Sequence, residues 1–439
     1  MSENLTKKIR NYALYLPSMP ESYAEVAITR GPVRNLPVRP LDLNFMKPSN
    51  RRFHYKYCLA SAGRFARRTN SNAITSRNPN NTFVLGDSGG FQAATGAFKE
   101  APAWRDEANI PGRVPELWLS STFRHELIHW ADANCNYAMT LDMPLWVRKA
   151  KSKSSPFHGL TIDQLADLTV ENLHLTEKIR RRCRFLNVLQ GEDQAEADYW
   201  YSRVGGFNFE GWAYGSRTNV SGGLLRLLRR VLLLRDEHML GGRRRWFHVL
   251  GLSGLVWAVA LTAVQRGIQS STGADFTVSF DSATPFLWAG KFKSYAAPPL
   301  LSGDIKTWTI PKLPFPTGYR VARQHGGEPF PSGSPISNLL TIGDMNPNQD
   351  TFAVTSFDPF STHLLGNHNV YVFIKAIINA NRVAFQERNA PQQIAELVGI
   401  IGDLFKADDW QGLLAKQEAV LTRSIRAAPI LPDAMEEPR

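Results

Sequence analysis

The sequence predicts an α/β fold, in particular an eight-stranded (β/α)8 barrel of the TIM type. Short apolar runs alternate with helical patterns, as parallel strands joined by helical crossovers require. Most of these runs end in a small or chemically reactive side chain, for example Asp87, Asp142 and Asp281. A closed barrel gathers the carboxyl ends of its strands at one rim, whereas an open sheet spreads them out. We therefore expect residues far apart in the chain to share one site.

Seven candidate strands supply the barrel pattern. They lie in residues 56–63, 82–90, 136–144, 184–192, 210–216, 246–252 and 275–285. Because amphipathic segments separate them, we assign residues 56–297 to a catalytic barrel. Residues 1–55 are Pro-rich and predict an extended N-terminal arm on the surface. Residues 298–439 predict a loop-rich and helical C-terminal region that completes the barrel.

The chain is strongly basic. Its 51 Lys and Arg against 39 Asp and Glu give a net charge of +12, which favours contact with a polyanion such as a nucleic acid. Much of the charge lies in arginine runs in the middle of the chain, around residues 180–184, 229–230 and 243–245. Each run has a structural alternative as a solvated helix face or loop. We expect Arg243, Arg244 and Arg245 to contact phosphates.

Cysteine usage and hydropathy argue against a secreted or membrane protein. The three cysteines are widely spaced, without the paired spacing of a disulfide framework or a thiolate metal site. The first residues lack the apolar core of a signal peptide. Residues 247–264 approach the length of a membrane span, but they divide naturally into a strand and a following helix. We expect a cytoplasmic protein with no membrane partner.

The segment GDSGGFQ, residues 86–92, carries the most specific chemical signal. It places Asp87 at a strand end, followed by Ser88, two glycines that let backbone approach a flat ligand, and an aromatic side chain. Taken alone, it is more typical of a glycine-rich turn in which the Asp caps the next helix.

The motifs that follow make the pattern much more specific. Taken together and in this order, they resemble the tRNA-guanine transglycosylase family, with DSGGFQ as that family's signature. The resemblance spans about residues 82–286 and is patchy between its motifs, which are DSGGFQ (87–92), MTLDMP (139–144), VLQGE (188–192), GWAYGS (211–216), HVLGL (248–252) and SFDSATP (279–285).

The resemblance implies an enzyme that exchanges a purine base at a sugar carbon. Asp281 would be the covalent nucleophile and Asp87 the acid and base for the departing and incoming purines. The chemistry is coherent, because a carboxylate can form a covalent glycosyl intermediate. Retaining glycosidases divide the same labour between two carboxyl groups about 5–5.5 Å apart. We therefore expect Asp87 and Asp281 to face each other across the sugar.

The same resemblance implies the residues that hold the base. Asp142 would accept from the N–H edge of guanine, and Gln190 would donate to its carbonyl, while Phe91 and Leu250 would lie above and below the ring. The other implied contacts are Ser88, beside the base or supporting Asp87, together with Gln92, Gly215 and Ser216.

Two departures from the family pattern bear on metal and substrate. The family's zinc site uses three cysteines completed by a histidine, whereas this chain offers His368 and has no cysteine beyond Cys183. We therefore expect a metal-free or rebuilt loop in place of the zinc site, although Asp358, His363 and His368 could form a weak substitute. Residues 282–291, SATPFLWAGK, also replace the family's Pro-Thr-Arg segment.

These departures resemble a divergent branch, found in phages and bacterial modification clusters, that inserts 7-deazaguanine into DNA. The function implied is a DNA guanine transglycosylase that exchanges guanine for a base such as preQ0. Accessory DNA-modification proteins would be candidate partners, and a phage-encoded enzyme would act in the cytoplasm of its bacterial host. The alternative is a tRNA-modifying transglycosylase of the queuosine or archaeosine type.

Two further hypotheses come from other classes of protein. Residues 125–129, HELIH, match the H-E-x-x-H signature of zinc metalloproteases. We expect this segment on a crossover helix outside the barrel, away from the catalytic rim. A barrel that binds nucleic acid without catalysis would keep the basic runs but would not need both aspartates.

Overall fold

Eight parallel strands form a nearly closed barrel surrounded by helices, which confirms the predicted fold class. The computed structural model describes residues 2–96, 112–149, 152–215, 222–348, 356–387 and 390–426. The barrel strands are β1 (Leu14–Pro17), β2 (Tyr57–Ser61), β3 (Phe83–Asp87), β4 (Tyr137–Met139), β5 (Arg184–Leu189), β6 (Gly211–Tyr214), β7 (Trp246–Val249) and β8 (Thr277–Ser282).

Each strand pairs with the next in the chain from β2 to β8, and β8 pairs with β1. A single bridge between Ser18 and Leu59 joins β1 to β2 and nearly completes the ring. The register sets Asp281 opposite Leu16 and Asp87 opposite Ser61. The two predicted catalytic residues therefore lie at the carboxyl-end rim of the same barrel.

The strand β1 corrects the prediction for the N-terminal segment. All four of its residues are buried, so Leu14–Pro17 belongs to the barrel wall and not to a surface arm. Its short apolar run ends at Pro17 and is followed by Pro20, so it is easily taken for an extended surface segment. Its partner β8 lies more than two hundred positions later, and local sequence carries no trace of such a pairing.

The helices in chain order are α1 (Leu5–Ile9), α2 (Glu21–Val26), α3 (Ala62–Phe65), α4 (Gly90–Ala94), α5 (Val114–Ser120), α6 (Phe123–Asn134), α7 (Ile162–Ile179), α8 (Gln194–Val204), α9 (Gly223–Asp236), α10 (Leu255–Thr272), α11 (Thr284–Gly290), α12 (Tyr319–His325), α13 (Ile342–Met345), α14 (Pro359–Gln386), α15 (Gln392–Leu404) and α16 (Trp410–Arg426). Two pairs of short strands lie outside the barrel, Glu3–Asn4 with Phe53–His54 and Ser294–Ala296 with Lys312–Pro314.

The C-terminal region covers the barrel with helices, and its described residues add no strand to the wall. The long helix α14 packs against α11 and α10. Two of its buried asparagines anchor it: Asn367 donates to the Tyr23 hydroxyl of α2 at 2.6 Å, and Asn369 donates to the Pro285 carbonyl of α11 at 3.0 Å. The N-terminal strand, not this region, closes the ring.

The apolar stretch at residues 247–264 divides between β7 and α10, as predicted. Nearly every residue of α10 from Leu255 to Ile268 is buried, because neighbouring helices cover the face turned away from the strands. Among the described residues, no helix combines the length and the apolar character needed to span a bilayer.

Candidate active site

A cavity of about 530 Å³ opens at the carboxyl ends of the strands. Four residues that the sequence assigned to one site line it: Asp87, Phe91, Leu250 and Asp281. Asp87 and Asp281 lie at the carboxyl ends of β3 and β8, Phe91 lies in α4 just after β3, and Leu250 directly follows β7. The cavity continues between α11 and α14. Its volume suits a small organic ligand, and its wall is mainly apolar with a few acidic and basic groups.

Asp281 is held by the backbone of the loop after β7. The Gly251 N–H donates to its Oδ1 at 2.9 Å, and the Leu252 N–H donates to its main-chain carbonyl at 2.8 Å. These bonds fix the position of the carboxylate at the cavity wall.

His248 is a site residue that the sequence analysis missed. Its fully buried ring places Nε2 3.3 Å from Oδ1 of Asp281, outside hydrogen-bond alignment, and this nitrogen has no other bond within the described part of the chain. The signal was present in the HVLGL motif, since alternate residues of a strand share a face and His248 lies two positions before Leu250.

A buried relay behind His248 favours one form of its ring. The Trp246 indole donates to Oγ of Ser279 at 2.7 Å, and the same Oγ lies 2.9 Å from Nδ1 of His248. Since the hydroxyl accepts from the indole, its own proton is free to bond Nδ1. In this tautomer Nε2 carries the proton, 3.3 Å from Oδ1 of Asp281 and out of line for a hydrogen bond.

The glycines of DSGGFQ serve close packing of backbone, which corrects their predicted role at the ligand. Gly89 adopts a φ of +81°, in the left-handed region that favours glycine. A Cβ on Gly90 would lie 2.5 Å from the carbonyl oxygen of Asp142. The turn after β3 therefore presses against the chain after β4, and this contact sets the position of Asp87 and Ser88.

Asp142 is bonded from two sides by neighbouring side chains. The Ser88 hydroxyl donates to its Oδ1 at 3.0 Å, and Nε2 of Gln190 donates to its Oδ2 at 2.6 Å. The pKa of Asp142 is raised to about 7, mainly by burial and also by the nearby Asp87, against the lowering effect of the Ser88 bond. The group thus changes charge close to neutral pH.

Gln190 does not have the free amide that its predicted role requires. Its Nε2 donates to Asp142 and also to the Met143 carbonyl at 3.1 Å, while its Oε1 accepts from the Leu145 N–H at 2.9 Å. Both N–H groups are therefore used inside the protein. The geometry makes Gln190 a support for Asp142 and not a donor to the purine carbonyl.

The remaining predicted contacts divide between the cavity and its support. Phe91 lies 5.5 Å from the Trp146 ring, measured between centroids. Gln92 is buried behind the cavity wall and accepts from the hydroxyl of Ser61, a lining residue, at 3.1 Å, which ties α4 to β2. Gly215 follows β6 and donates to the Leu189 carbonyl at 2.9 Å, whereas Ser216 lies outside the described residues.

The predicted phosphate contacts lie at the wrong end of the barrel. Arg243, Arg244 and Arg245 immediately precede β7, so they sit at the amino ends of the strands, opposite the cavity. Arg243 pairs with Glu210, Arg244 lies over the Trp212 ring, and Arg245 donates to the Gly242 carbonyl. The basic residues that do line the cavity are Arg64 and Lys291.

The residues present do not fit the family's zinc site. Nε2 of His368 lies 2.9 Å from the Ala296 carbonyl, and the ring is surrounded by Tyr295 and Phe330. Burial lowers the pKa of this histidine to about 4. Asp358 caps α14 and pairs with Arg34 at 3.2 Å, away from such a role. Across the described ranges, no group of three His, Cys, Asp or Glu residues could hold a metal ion.

The H-E-x-x-H segment lies on α6, a crossover helix, as predicted. His125 and His129 are exposed, and Glu126 accepts from Arg67 at 3.0 Å. This arrangement gives no support to a metalloprotease site. No protein-family model matches the chain, and no curated protein matches it.

Proposed function

We propose that this protein is a base-exchange enzyme that replaces guanine in DNA with a 7-deazaguanine base through a glycosyl-aspartate intermediate. The observation that carries the proposal is that Asp87 and Asp281, from strands far apart in the chain, line one cavity together with Phe91 and Leu250. Two carboxyl groups beside a slot for a flat ring are what this chemistry needs.

The reaction has two balanced steps. Asp281 attacks C1′ of the target nucleotide, so a C1′–O bond forms as the C1′–N9 bond breaks. The proton of the Asp87 carboxyl passes to the departing guanine, which leaves as a neutral base. The incoming 7-deazaguanine then gives its N9 proton to Asp87 and attacks C1′, and the bond to Asp281 breaks. No outside acid, base or cofactor is consumed.

His248 supports the nucleophile in this scheme. A proton on Nε2 stabilises the Asp281 carboxylate, and the support is greatest when that carboxylate departs in the second step. The Ser279 and Trp246 bonds keep the proton on Nε2 by occupying Nδ1. The relay is buried, so water does not compete for it.

Asp142 is best suited to read the N–H edge of the base. Its carboxylate accepts hydrogen bonds, and guanine and 7-deazaguanine both present donors on the edge that distinguishes them from adenine. Ser88 and Gln190 hold the group in place. Burial disfavours the ionised form of Asp142 in the free protein, and donors on a bound base would stabilise that form.

DNA is preferred over tRNA as the substrate for two reasons. The cysteines that complete the zinc site of the tRNA enzymes are missing here, and the region around His368 is packed with aromatic rings instead of ligands. The segment that follows Asp281 also forms the helix α11 with a sequence unlike that of the tRNA enzymes. Either substrate must present its target base unstacked.

Replacement of Asp281 tests the proposal directly. We expect Asp281→Asn to lower base exchange by at least about 10⁴-fold and to abolish a covalent adduct, while nucleic-acid affinity is kept. Asp87→Asn should lower exchange by about 10²–10⁴-fold. The assay incubates preQ0 with DNA or tRNA and measures the exchanged nucleoside by mass spectrometry.

Glu126→Gln is the matched control, since this carboxylate lies on an outer helix. It should leave exchange unchanged. Continued exchange by the Asp281 variant would end the nucleophile assignment. A wild-type protein that binds DNA and tRNA but exchanges no base in either would support the non-catalytic barrel instead.

A further inference from the structure

The segment that follows α11 forms a basic and aromatic edge at the cavity mouth. Phe286, Leu287 and Gly290 of α11 line the cavity, as does the next residue, Lys291. The chain then passes through Phe292 and Lys293 into the strand Ser294–Ala296, which pairs with Lys312–Pro314. We name Lys291, Phe292, Lys293 and Lys312 the mouth edge.

Phe292 is unusually exposed for a large aromatic ring, with 46% of its surface accessible. Within the described residues, the other large hydrophobic side chains that are exposed are all aliphatic. The Nζ atoms of Lys312 and Lys291 lie 3.3 and 5.6 Å from its ring centroid. An exposed ring surrounded by cations is a suitable contact for a nucleobase next to a phosphate.

Two lysines of the mouth edge, Lys293 and Lys312, contact uncharged neighbours. Lys293 donates to the Gly290 carbonyl at 2.8 Å and lies 3.4 Å from the Thr362 hydroxyl. In the part of the chain that the structure describes, no carboxylate forms an ion pair with Lys293 or Lys312. Burial lowers the pKa of both ammonium groups. An anion from solution would favour the charged form of these two ammonium groups, which no described carboxylate neutralises.

The arginines at the amino ends provide a contrast. Glu210 neutralises Arg180 and Arg243 there, and the cavity is on the other side of the barrel. The lysines of the mouth edge lie closer to the cavity than these arginines do, and Lys293 and Lys312 have no described carboxylate partner. A polyanion that delivers one unit to the cavity would therefore meet the mouth edge first.

We propose that the mouth edge holds a single strand of nucleic acid, with phosphates on Lys293 and Lys312 and the base of a flanking nucleotide against Phe292. This inference rests on the proposed function, because it requires a target nucleotide in the cavity. A single strand fits better than a duplex, since the target base must be unstacked and an exposed ring offers its neighbour a new stacking partner.

The test compares two double variants that remove the same charge from opposite ends of the barrel. Lys293→Ala/Lys312→Ala removes the mouth edge, and Arg244→Ala/Arg245→Ala is the matched control. Affinity for a fluorescent single-stranded oligodeoxynucleotide is measured by anisotropy over a series of salt concentrations. Thermal unfolding of each variant verifies the fold.

We expect the lysine pair to lower the affinity and to reduce the slope of log K against log salt by about 1.4, since each phosphate contact on a single strand contributes about 0.7. Phe292→Ala should lower affinity about tenfold with the slope unchanged, because stacking releases no counterion. The arginine pair should leave both quantities near wild type.

Affinity and slope that fall in the arginine pair but stay unchanged in the lysine pair would overturn the inference. Equal losses in both pairs would do the same, because they would indicate a general charge effect. Binding needs no chemistry, so this result is separate from the base-exchange assay. A wild type that exchanges bases while the lysine pair binds normally would leave the proposed function standing and reject the mouth edge alone.

Discussion

The two ends of the barrel differ in the side chains that they place inside it. At the amino ends, aromatic rings close the barrel: Phe83 stacks on Trp246 at 4.7 Å and 7°, and Tyr137 lies 4.9 Å from the same indole. At the carboxyl ends, acidic groups face a cavity. This division follows the general behaviour of such barrels, in which one end stabilises and the other reacts.

Charge shows the same contrast. At the amino ends Glu210 accepts from Arg180 at 2.7 Å, from the Phe185 N–H at 2.8 Å and from Arg243. Both arginines pair with Glu210, although the sequence analysis expected Arg243 to contact phosphates. At the carboxyl ends, Oδ1 of Asp281 accepts from the Gly251 N–H, a neutral backbone group. The lesson is that ion pairing, not the density of charge in the sequence, decides which basic residues are available to a partner.

Loss of Glu210 is expected to have the largest effect on stability. Glu210→Ala leaves two arginines and a buried N–H without their acceptor, so the free energy of unfolding should fall by about 3 kcal/mol. Chemical denaturation monitored by tryptophan fluorescence measures it. The folded fraction should still exchange bases at the wild-type rate, because this end of the barrel does not face the cavity.

The control for this prediction is Glu210→Gln, which keeps an acceptor for the Phe185 N–H and should be less destabilising than the alanine variant. A drop below about 1 kcal/mol for Glu210→Ala, or a large loss of exchange rate by folded protein, would remove the distinction between the two ends.

Loss of the His248 donor is expected to affect the carboxyl end alone. His248→Phe keeps the ring volume but removes Nε2, so we expect kcat for base exchange to fall about 30- to 100-fold, or about 2–2.7 kcal/mol, with little change in KM for the base. Single-turnover kinetics of adduct formation and breakdown provide the measurement.

His248→Gln offers a test of mechanism, because its amide can place a donor near the position of Nε2. It should recover part of the lost rate. If the Phe and Gln variants are equally impaired, or if only KM changes, His248 acts by packing and not as a donor to Asp281.

The third and smallest effect concerns pH. The pKa of Asp142 is raised in the folded protein to about 7, so its ionised form is disfavoured until the pH rises through that value. Base binding uses the ionised form as an acceptor. Affinity for the free base should therefore be constant above about pH 7 and fall by up to tenfold per pH unit below it, as measured by calorimetry.

The same shift has a stability consequence of defined sign. A raised carboxyl pKa contributes stability that is present in full below the unfolded value near 4 and is lost as the pH rises through about 7. Asp142→Asn cannot ionise, so its base affinity and stability should lack this pH dependence. A base affinity that is equally pH-dependent in Asp142→Asn would assign the titration to another group.

Much of the fold could be predicted, because the seven strands from β2 to β8 carry their own apolar runs and turn signals. The strand β1 could not be, because its four residues become a strand only through pairing with β8. Among site residues, motif order identified Asp87, Phe91, Leu250 and Asp281 as neighbours, and all four line the cavity.

Roles that depend on which donors and acceptors are already bonded within the protein could not be predicted from the sequence. Gln190 has the right chemistry for a purine, but its amide is used by Asp142, Met143 and Leu145. His248 was hidden for the converse reason, since its importance comes from a nitrogen that is buried and left without a bond of its own. Neither fact is visible before the strands are placed side by side.

By itself, the sequence determined the alternation of strands and helices and which reactive side chains stand at strand ends, because periodicity and turn chemistry are local properties. Only the tertiary structure decided which of those side chains share a cavity, which arginines are neutralised and which amides are already bonded. These depend on distances between residues remote in the chain, and such distances are set by barrel closure and packing.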